Sequence, residues 1–340
     1  MGDAKMTSDA KRTGCGKRVL VTGAAGFIGS HLVERLVRDG RCVRAFVHYN
    51  AGGWLHNLER VDREVFREVE IVAGDITDPF SVNQAVAGCD VIFHLASLIA
   101  IPYSYRAPAA YVATNVHGAL NVLQACRERG VERLVHTSTS ETYGTAQYVP
   151  IDEKHPLVGQ SPYSASKIAA DKIAESYQRS YGVPVVTVRP FNTFGPRQSA
   201  RAVIPTIVCQ ALTCNEIRLG STEPVRDFTY VTDTAAGFAA AAEAEGAVGE
   251  VINLGTGTSV TIGETAEMVL QLMGRDLPIK SQEERVRPTE SEVLRLVCDN
   301  SKAKRLLGWS PQVDLKAGLG RVVDYVRAHP EQYKAEIYNV

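Results

Sequence analysis

Tyr163 and Lys167 are the first residues in this sequence whose types and spacing suggest chemistry. They stand in Ser161-Pro162-Tyr163-Ser164-Ala165-Ser166-Lys167. Ser161 reads as a helix N-cap and Pro162 as the first helical residue. Positions 163 and 167 then share one helix face. An ammonium beside a phenol favours the phenolate and lowers its pKa. Tyr163 would then act as a base near neutral pH. Upstream runs His136-Thr137-Ser138-Thr139-Ser140-Glu141-Thr142-Tyr143-Gly144. Thr139 would place a hydroxyl beside the phenol, where it can hydrogen-bond a sugar oxygen. Glu141 would place a carboxylate in the same pocket. The plain alternatives are two surface residues on an amphipathic helix and a solvated loop acid.

A second cluster lies at 17–36. Residues 18–22 are mostly apolar and β-branched, as in a buried strand. Gly23, Gly26 and Gly29 follow at three-residue spacing. Phe27 and Ile28 open a helix that continues with Leu32 and Leu36 and stops at Gly40. Strand, glycine turn and helix form a dinucleotide cradle, in which backbone approaches the pyrophosphate and the helix N-terminus supplies amide donors. An acid about 20 residues past the glycines would hold the ribose hydroxyls of NAD. Here the sequence reads Val47-His48-Tyr49-Asn50, and the acid is missing. His48 could accept the 2′-phosphate of NADP, or be an ordinary surface histidine, so both cofactors stay open. Asp75, in Gly74-Asp75-Ile76-Thr77-Asp78, sits where a loop could reach the adenine. Leu95, Ala96 and Ser97 fall at the end of a strand over 91–95, where ligands bind in doubly wound sheets.

The elements that position these groups alternate. Strands are expected over 41–47, 69–73, 91–95, from 134 and over 183–188, with helices over 27–37, 81–87, 109–129 and from 161. This implies an α/β fold: a doubly wound parallel Rossmann sheet with helices on both faces. The second half is less regular. Residues 224–231 and 251–254 read as a return to the sheet, with helices over 202–211, 261–273, 301–307 and 315–328. The expected division is a loose tail over 1–16 and a dinucleotide-binding unit over 17–190, rejoined by 226–256. A smaller, interleaved substrate-binding lobe takes 191–225 and 257–340.

Composition narrows the partners. The 340 residues are 45% hydrophobic and 22% charged, as in a globular protein with a sizeable core. A net charge of -1 gives no electrostatic case for nucleic acid. Seven cysteines show no CxxC pair and no Cys/His cluster. Free thiols are expected, with no metal site and no disulfide framework. No apolar stretch suits a membrane helix or a signal peptide, so a cytoplasmic location is expected.

The motifs GxxGxxG, GDITD, VIFHLAS, TSTSETYG, YSASK, RPFNTFGP, RDFTYV, NLGTG and RPTESEV occur in this order across nearly the whole chain. Together they resemble the extended short-chain dehydrogenases, the nucleotide-sugar epimerase/dehydratase family. Residues 135–177 and 94–105 look most like bacterial dehydratases of nucleotide-linked N-acetylglucosamine, as in legionaminic acid-type pathways. The resemblance implies that Gly23, Gly26, Gly29, Asp75, Ile76 and Ala96 hold a tightly bound, recycled NAD or NADP. Lys167 would contact the nicotinamide ribose, and Pro190-Phe191-Asn192 would border the nicotinamide. Asn192, Arg226 and Arg287 would hold a substrate diphosphate or nucleoside, with surface salt bridges as the plain alternative for the arginines. The implied activity is 4,6-dehydration of an NDP-hexose with Thr139, Ser140, Glu141, Tyr163 and Lys167 in the catalytic group. One departure stands out. dTDP-glucose 4,6-dehydratases carry Asp between the Thr and the Glu, where this chain has Ser140, a poor acid. A 4-epimerase, a UDP-glucuronate decarboxylase and a dinucleotide-sensing regulator are the alternatives. Family members pair the helices over 109–129 and 161–181 into a four-helix bundle, so a homodimer is expected.

Overall fold

The computed structural model describes residues 16–333. The tail expected over 1–16 lies outside the described residues except for Gly16. Seven strands form one sheet: β1 Arg18–Thr22, β2 Cys42–His48, β3 Glu70–Gly74, β4 Val91–His94, β5 Arg133–Thr137, β6 Val185–Pro190 and β7 Val251–Leu254. Their order is β7-β6-β5-β4-β1-β2-β3, and every neighbouring pair is parallel. The chain winds outward from β1 to β3, then returns to β4 on the other side. That reversal opens a crevice at the carboxyl ends of β1 and β4. Strands covered on both faces read as apolar runs. Accordingly Val19, Leu20 and Val21 on β1 and Val91, Ile92 and Phe93 on β4 are all buried.

The helices that bear on the site are α1 Phe27–Arg38, α2 Gly118–Arg129, α3 Pro162–Tyr181, α4 Val203–Thr213, α5 Val231–Glu243 and α6 Ile262–Met273. Ser161 and Ser164 form a reciprocal capping box at the start of α3, which ends at a left-handed Gly182. The helix expected over 109–129 is not one regular α-helix. Pro108–Tyr111 is α-helical, Val112–His117 is a π-turn, and α2 continues from there. The π-turn coincides with an inward polar anchor, Asn115. Its Oδ1 accepts from Leu98 N at 2.8 Å, and its Nδ2 donates to Leu98 O at 3.0 Å and Ser166 Oγ at 2.9 Å.

The return to the sheet is made by β7 alone. Phe228–Tyr230 pairs instead with Asn192–Phe194, and Val225–Arg226 pairs antiparallel with Val260–Thr261. These short ladders frame a second apolar core that includes Phe194, Ile207, Val208, Val231, Val269 and Leu319. Cys42 is disulfide-bonded, against the expectation of free thiols throughout. Pairing depends on Cβ proximity in space, which sequence spacing does not encode. Cys89, Cys126, Cys209, Cys214 and Cys298 are free. Among the described residues, no helix is long and apolar enough to cross a membrane.

Candidate active site

The glycine turn is built by close backbone approach. Gly23 has φ +68°, and a Cβ there would lie 2.8 Å from Ala96 N. A Cβ on Gly29 would lie 2.2 Å from Gly23 O. Gly26 caps α1 with no side-chain bond, so the first amides of the helix have no side-chain partner there. Thr22 Oγ1 accepts from Leu95 N and Ala96 N at 3.1 Å each, lacing the end of β1 to the 95–97 turn. Ser97 Oγ donates to Leu95 O at 3.4 Å. Phe27 and Ile28, in the first turn of α1, are partly buried. Ile76 fills the space left by Gly118, where a Cβ would lie 3.0 Å away. Asp75 accepts from Thr77 N and Thr77 Oγ1, both at 2.8 Å. The Thr77 amide above all, helped by the nearby His48, holds the Asp75 carboxyl below its ordinary range. His48 itself is exposed at the end of β2. A glycine cradle that any Cβ would fill, with free amides behind it, fits a dinucleotide diphosphate.

Thr139 caps a short 3-10 segment, Ser140–Tyr143, and accepts from Glu141 N at 3.3 Å. The same side chain hydrogen-bonds the Tyr163 phenol. Ser140 is buried. Tyr163 packs edge-on to Tyr111, with ring centroids 6.2 Å apart, in an apolar nest that includes Ile101. Burial pushes the phenol well above its ordinary pKa; the Thr139 bond pulls it down and the Glu141 charge pushes it up. The expected lowering of the phenol is therefore reversed in this structure. Desolvation disfavours the phenolate, and Lys167 Nζ donates to Thr137 O at 2.6 Å. Burial also brings the Lys167 ammonium down to about 8, with the Asp171 charge opposing it.

Beyond Glu141 opens a cavity of about 270 Å³. Asn192, Gln198, Arg201, Arg226, Arg287 and Glu292 line it with Glu141. The Asn192 Oδ1 is buried without a partner. Pro190 is buried at the end of β6, two residues before Asn192. Arg226 is buried, and its Nη2 donates to Glu292 Oε1 at 3.2 Å. Arg287 Nη1 lies 3.5 Å from the same oxygen. Both arginines are thus drawn to one carboxylate inside the cavity, not to separate acids on the surface. Asp227 fixes the strand that carries Arg226, accepting from Thr256 N, Gly257 N and Cys298 N. A larger groove of about 900 Å³ lies between α3, the 152–157 loop and β6. It contains none of the residues above except Asp171, whereas the smaller cavity is lined by Glu141 and both arginines.

Sequence reasoning missed Glu292, Asp171, Asn115 and Tyr111. Asp171 carried a signal, an acid one turn after Lys167 on the same helix face. Glu292 stood within the RPTESEV stretch, but nothing local ties it to an arginine 66 positions away.

A parallel-sheet dinucleotide crevice beside a buried tyrosine and lysine defines a short-chain dehydrogenase-type enzyme. The chain belongs to the GDP-mannose 4,6 dehydratase family, whose sequence profile matches residues 20–322. This is a family of NAD-dependent nucleotide-sugar dehydratases and epimerases. The chain is similar to a UDP-glucose 4-epimerase of Mycolicibacterium smegmatis, 33% identical over 91% of this chain and 98% of the other. It is similar to a dTDP-glucose 4,6-dehydratase of an Actinoplanes species, 32% identical over 92% and 98%. The structure resembles DesIV, a dTDP-glucose 4,6-dehydratase from Streptomyces venezuelae solved with NAD and TYD bound. The TM-score is 0.84 at 33% identity, covering 93% of this chain and 99% of that one.

Proposed function

We propose that this enzyme is a nucleotide-sugar 4,6-dehydratase, with an NDP-N-acetylhexosamine as the favoured substrate and NAD or NADP as the recycled cofactor. The observation that carries the reading is Glu141. Its carboxylate lines the cavity that holds Asn192, Arg226 and Arg287, and its charge bears on Tyr163 from the other side. A 4-epimerase needs Thr139, Tyr163 and Lys167 but no carboxylate there.

Arg226 and Arg287 would hold the substrate diphosphate by charge-assisted bonds. Gly23, Gly26, Gly29, Leu95 and Ala96 would hold the dinucleotide, and Asn192 would border its reactive end. The bound nicotinamide supplies a hydride acceptor that later gives the hydride back, so no external reductant is consumed. Tyr163, hydrogen-bonded to Thr139, would take the proton from O4 as C4 becomes a ketone. The ketone acidifies the C5 hydrogen. Glu141 would take that proton and pass it to the departing C6 hydroxyl, which leaves as water; the returning hydride then adds at C6 and a solvent proton at C5. Burial raises the phenol in the protein alone, so a cationic nicotinamide ring would help Tyr163 give up its proton. The helices α2 and α3 would pair with those of a second copy, since Leu120 and Tyr181 are exposed along them.

The test is product analysis on a panel of nucleotide sugars in deuterated water. Loss of one water with solvent deuterium at C5 supports dehydration. A C4 epimer of unchanged mass overturns it, and carbon dioxide from a uronate would identify a decarboxylase.

A further inference from the structure

We propose that Asp171 is a positioning residue of this active site, holding Lys167 as an ammonium and tying the end of β5 to the helix that carries Tyr163. The proposal rests on the reading of Tyr163 and Lys167 as the proton-handling pair. Asp171 lies one turn after Lys167 on α3, and both are buried. Three donors converge on its carboxylate. His136 Nε2 reaches one oxygen at 3.0 Å; Ser138 Oγ at 2.6 Å and Arg189 Nη2 at 2.9 Å reach the other. Between His136 and Ser138, the Thr137 carbonyl accepts from Lys167 Nζ at 2.6 Å. Three successive residues of one strand end are therefore bonded to two residues of one helix. Thr139 and Glu141 follow immediately, so a slip of this end would carry Thr139 away from the phenol.

The groups around Lys167 leave Asp171 as the compensating charge. Asp171 stands on its own helix, His136 on β5 and His94 on β4, while Arg189 on β6 is bound through Asp171. The two histidine rings stack with centroids 5.9 Å apart. Burial keeps both below their ordinary pKa, so both are neutral at pH 7. A neutral His136 facing a carboxylate donates from Nε2. Thr22 Oγ1 already accepts two amides, so it donates its proton to His94 Nδ1 at 2.9 Å. Neither ring supplies a charge, and Asp171 is the anion that bears on the Lys167 ammonium.

Asp171→Asn alone would leave Arg189 buried and unpaired, so Asp171→Asn is combined with Arg189→Met to remove the pair together. Lys167 is titrated in the cofactor-loaded enzyme by NMR of carbon-labelled lysine, its signal identified by its loss in Lys167→Met. The double variant is expected to lower the Lys167 titration by roughly one pH unit or more. The alkaline limb of the C4 oxidation rate should move down with it. Asp171→Glu keeps the charge and should leave the titration in place, while its longer side chain lowers kcat with KM little changed. A Lys167 that titrates as in wild type after loss of Asp171 overturns the proposal. Should the double variant not fold, an unchanged kcat in Asp171→Glu overturns the clamp. If no nucleotide sugar is turned over, the dehydratase reading fails, but the lysine titration still decides for or against Asp171.

Discussion

Replacing Glu141 with Gln tests the proposed mechanism at the step that separates dehydration from epimerisation. Two effects of opposite sign follow from the geometry. The Glu141 charge pushes the Tyr163 phenol up, so neutralising it should ease loss of the O4 proton. C4 oxidation is then unimpaired or faster. The C5 proton, however, loses its base. Loss of a general base costs roughly 10²–10⁴ in rate, which is about 2.7–5.4 kcal/mol of barrier. The fold should tolerate the change, because Arg226 keeps its bond to Glu292. A stability change of roughly 1 kcal/mol or less is expected. In a single-turnover assay the variant should form a 4-keto sugar and then stall, with the absorbance of reduced nicotinamide building up unreleased. In deuterated water, wild type should carry deuterium at C5 and the variant almost none. A Glu141→Gln enzyme that dehydrates at the wild-type rate would refute the assignment. So would one that accumulates no reduced nicotinamide while turning over an epimer.

Tyr163→Phe should lower turnover by roughly 10²–10⁴-fold with cofactor binding nearly intact, since Thr139 keeps its bond to Glu141 N; retained activity removes Tyr163 from the mechanism. Gly29→Ala should abolish cofactor binding measured by calorimetry, because its Cβ would meet the Gly23 carbonyl at 2.2 Å, a backbone atom that cannot rotate aside. It should also lower stability by roughly 1–3 kcal/mol, and a cofactor affinity equal to wild type would contradict the cradle. Burial brings Lys167 from 10.5 down to about 8, so its proton is held below that pH and lost above it. Activity should therefore fall as pH rises through roughly 8, and the penalty that Lys167 places on stability should be relieved from about 8 towards 10.5; a flat rate profile across that range argues against a charged Lys167. Light scattering at micromolar concentration should give a dimer, and a monomer would leave the exposed side chains of α2 and α3 without the second copy proposed for them.

Much of this architecture was legible locally. The period of apolar residues announced β1 to β6, and Gly23, Gly26 and Gly29 announced the turn between β1 and α1, because only glycine leaves that backbone room. Ser161 and Pro162 announced the start of α3 through capping chemistry, which acts over a single turn. Tyr163 and Lys167 sit on one helix face because the helical repeat puts them there. Tertiary structure decided what local rules do not reach. Val225–Arg226 and Phe228–Tyr230 left the main sheet for separate short ladders, a choice made by long-range pairing with Val260–Thr261 and Asn192–Phe194. The π-turn at Val112–His117 coincides with the bonds of Asn115 to Leu98 and Ser166. Cys42 found a partner in space, which spacing could not show. The pKa of Tyr163 shifts opposite to what its helix neighbour implies. An adjacent lysine is visible in sequence, but desolvation by Tyr111 and Ile101 is a property of the packed pocket. The pairing of Arg226 with Glu292 was hidden for the same reason: charges meet where the chain crosses itself, and the order of residues along the chain does not record those crossings.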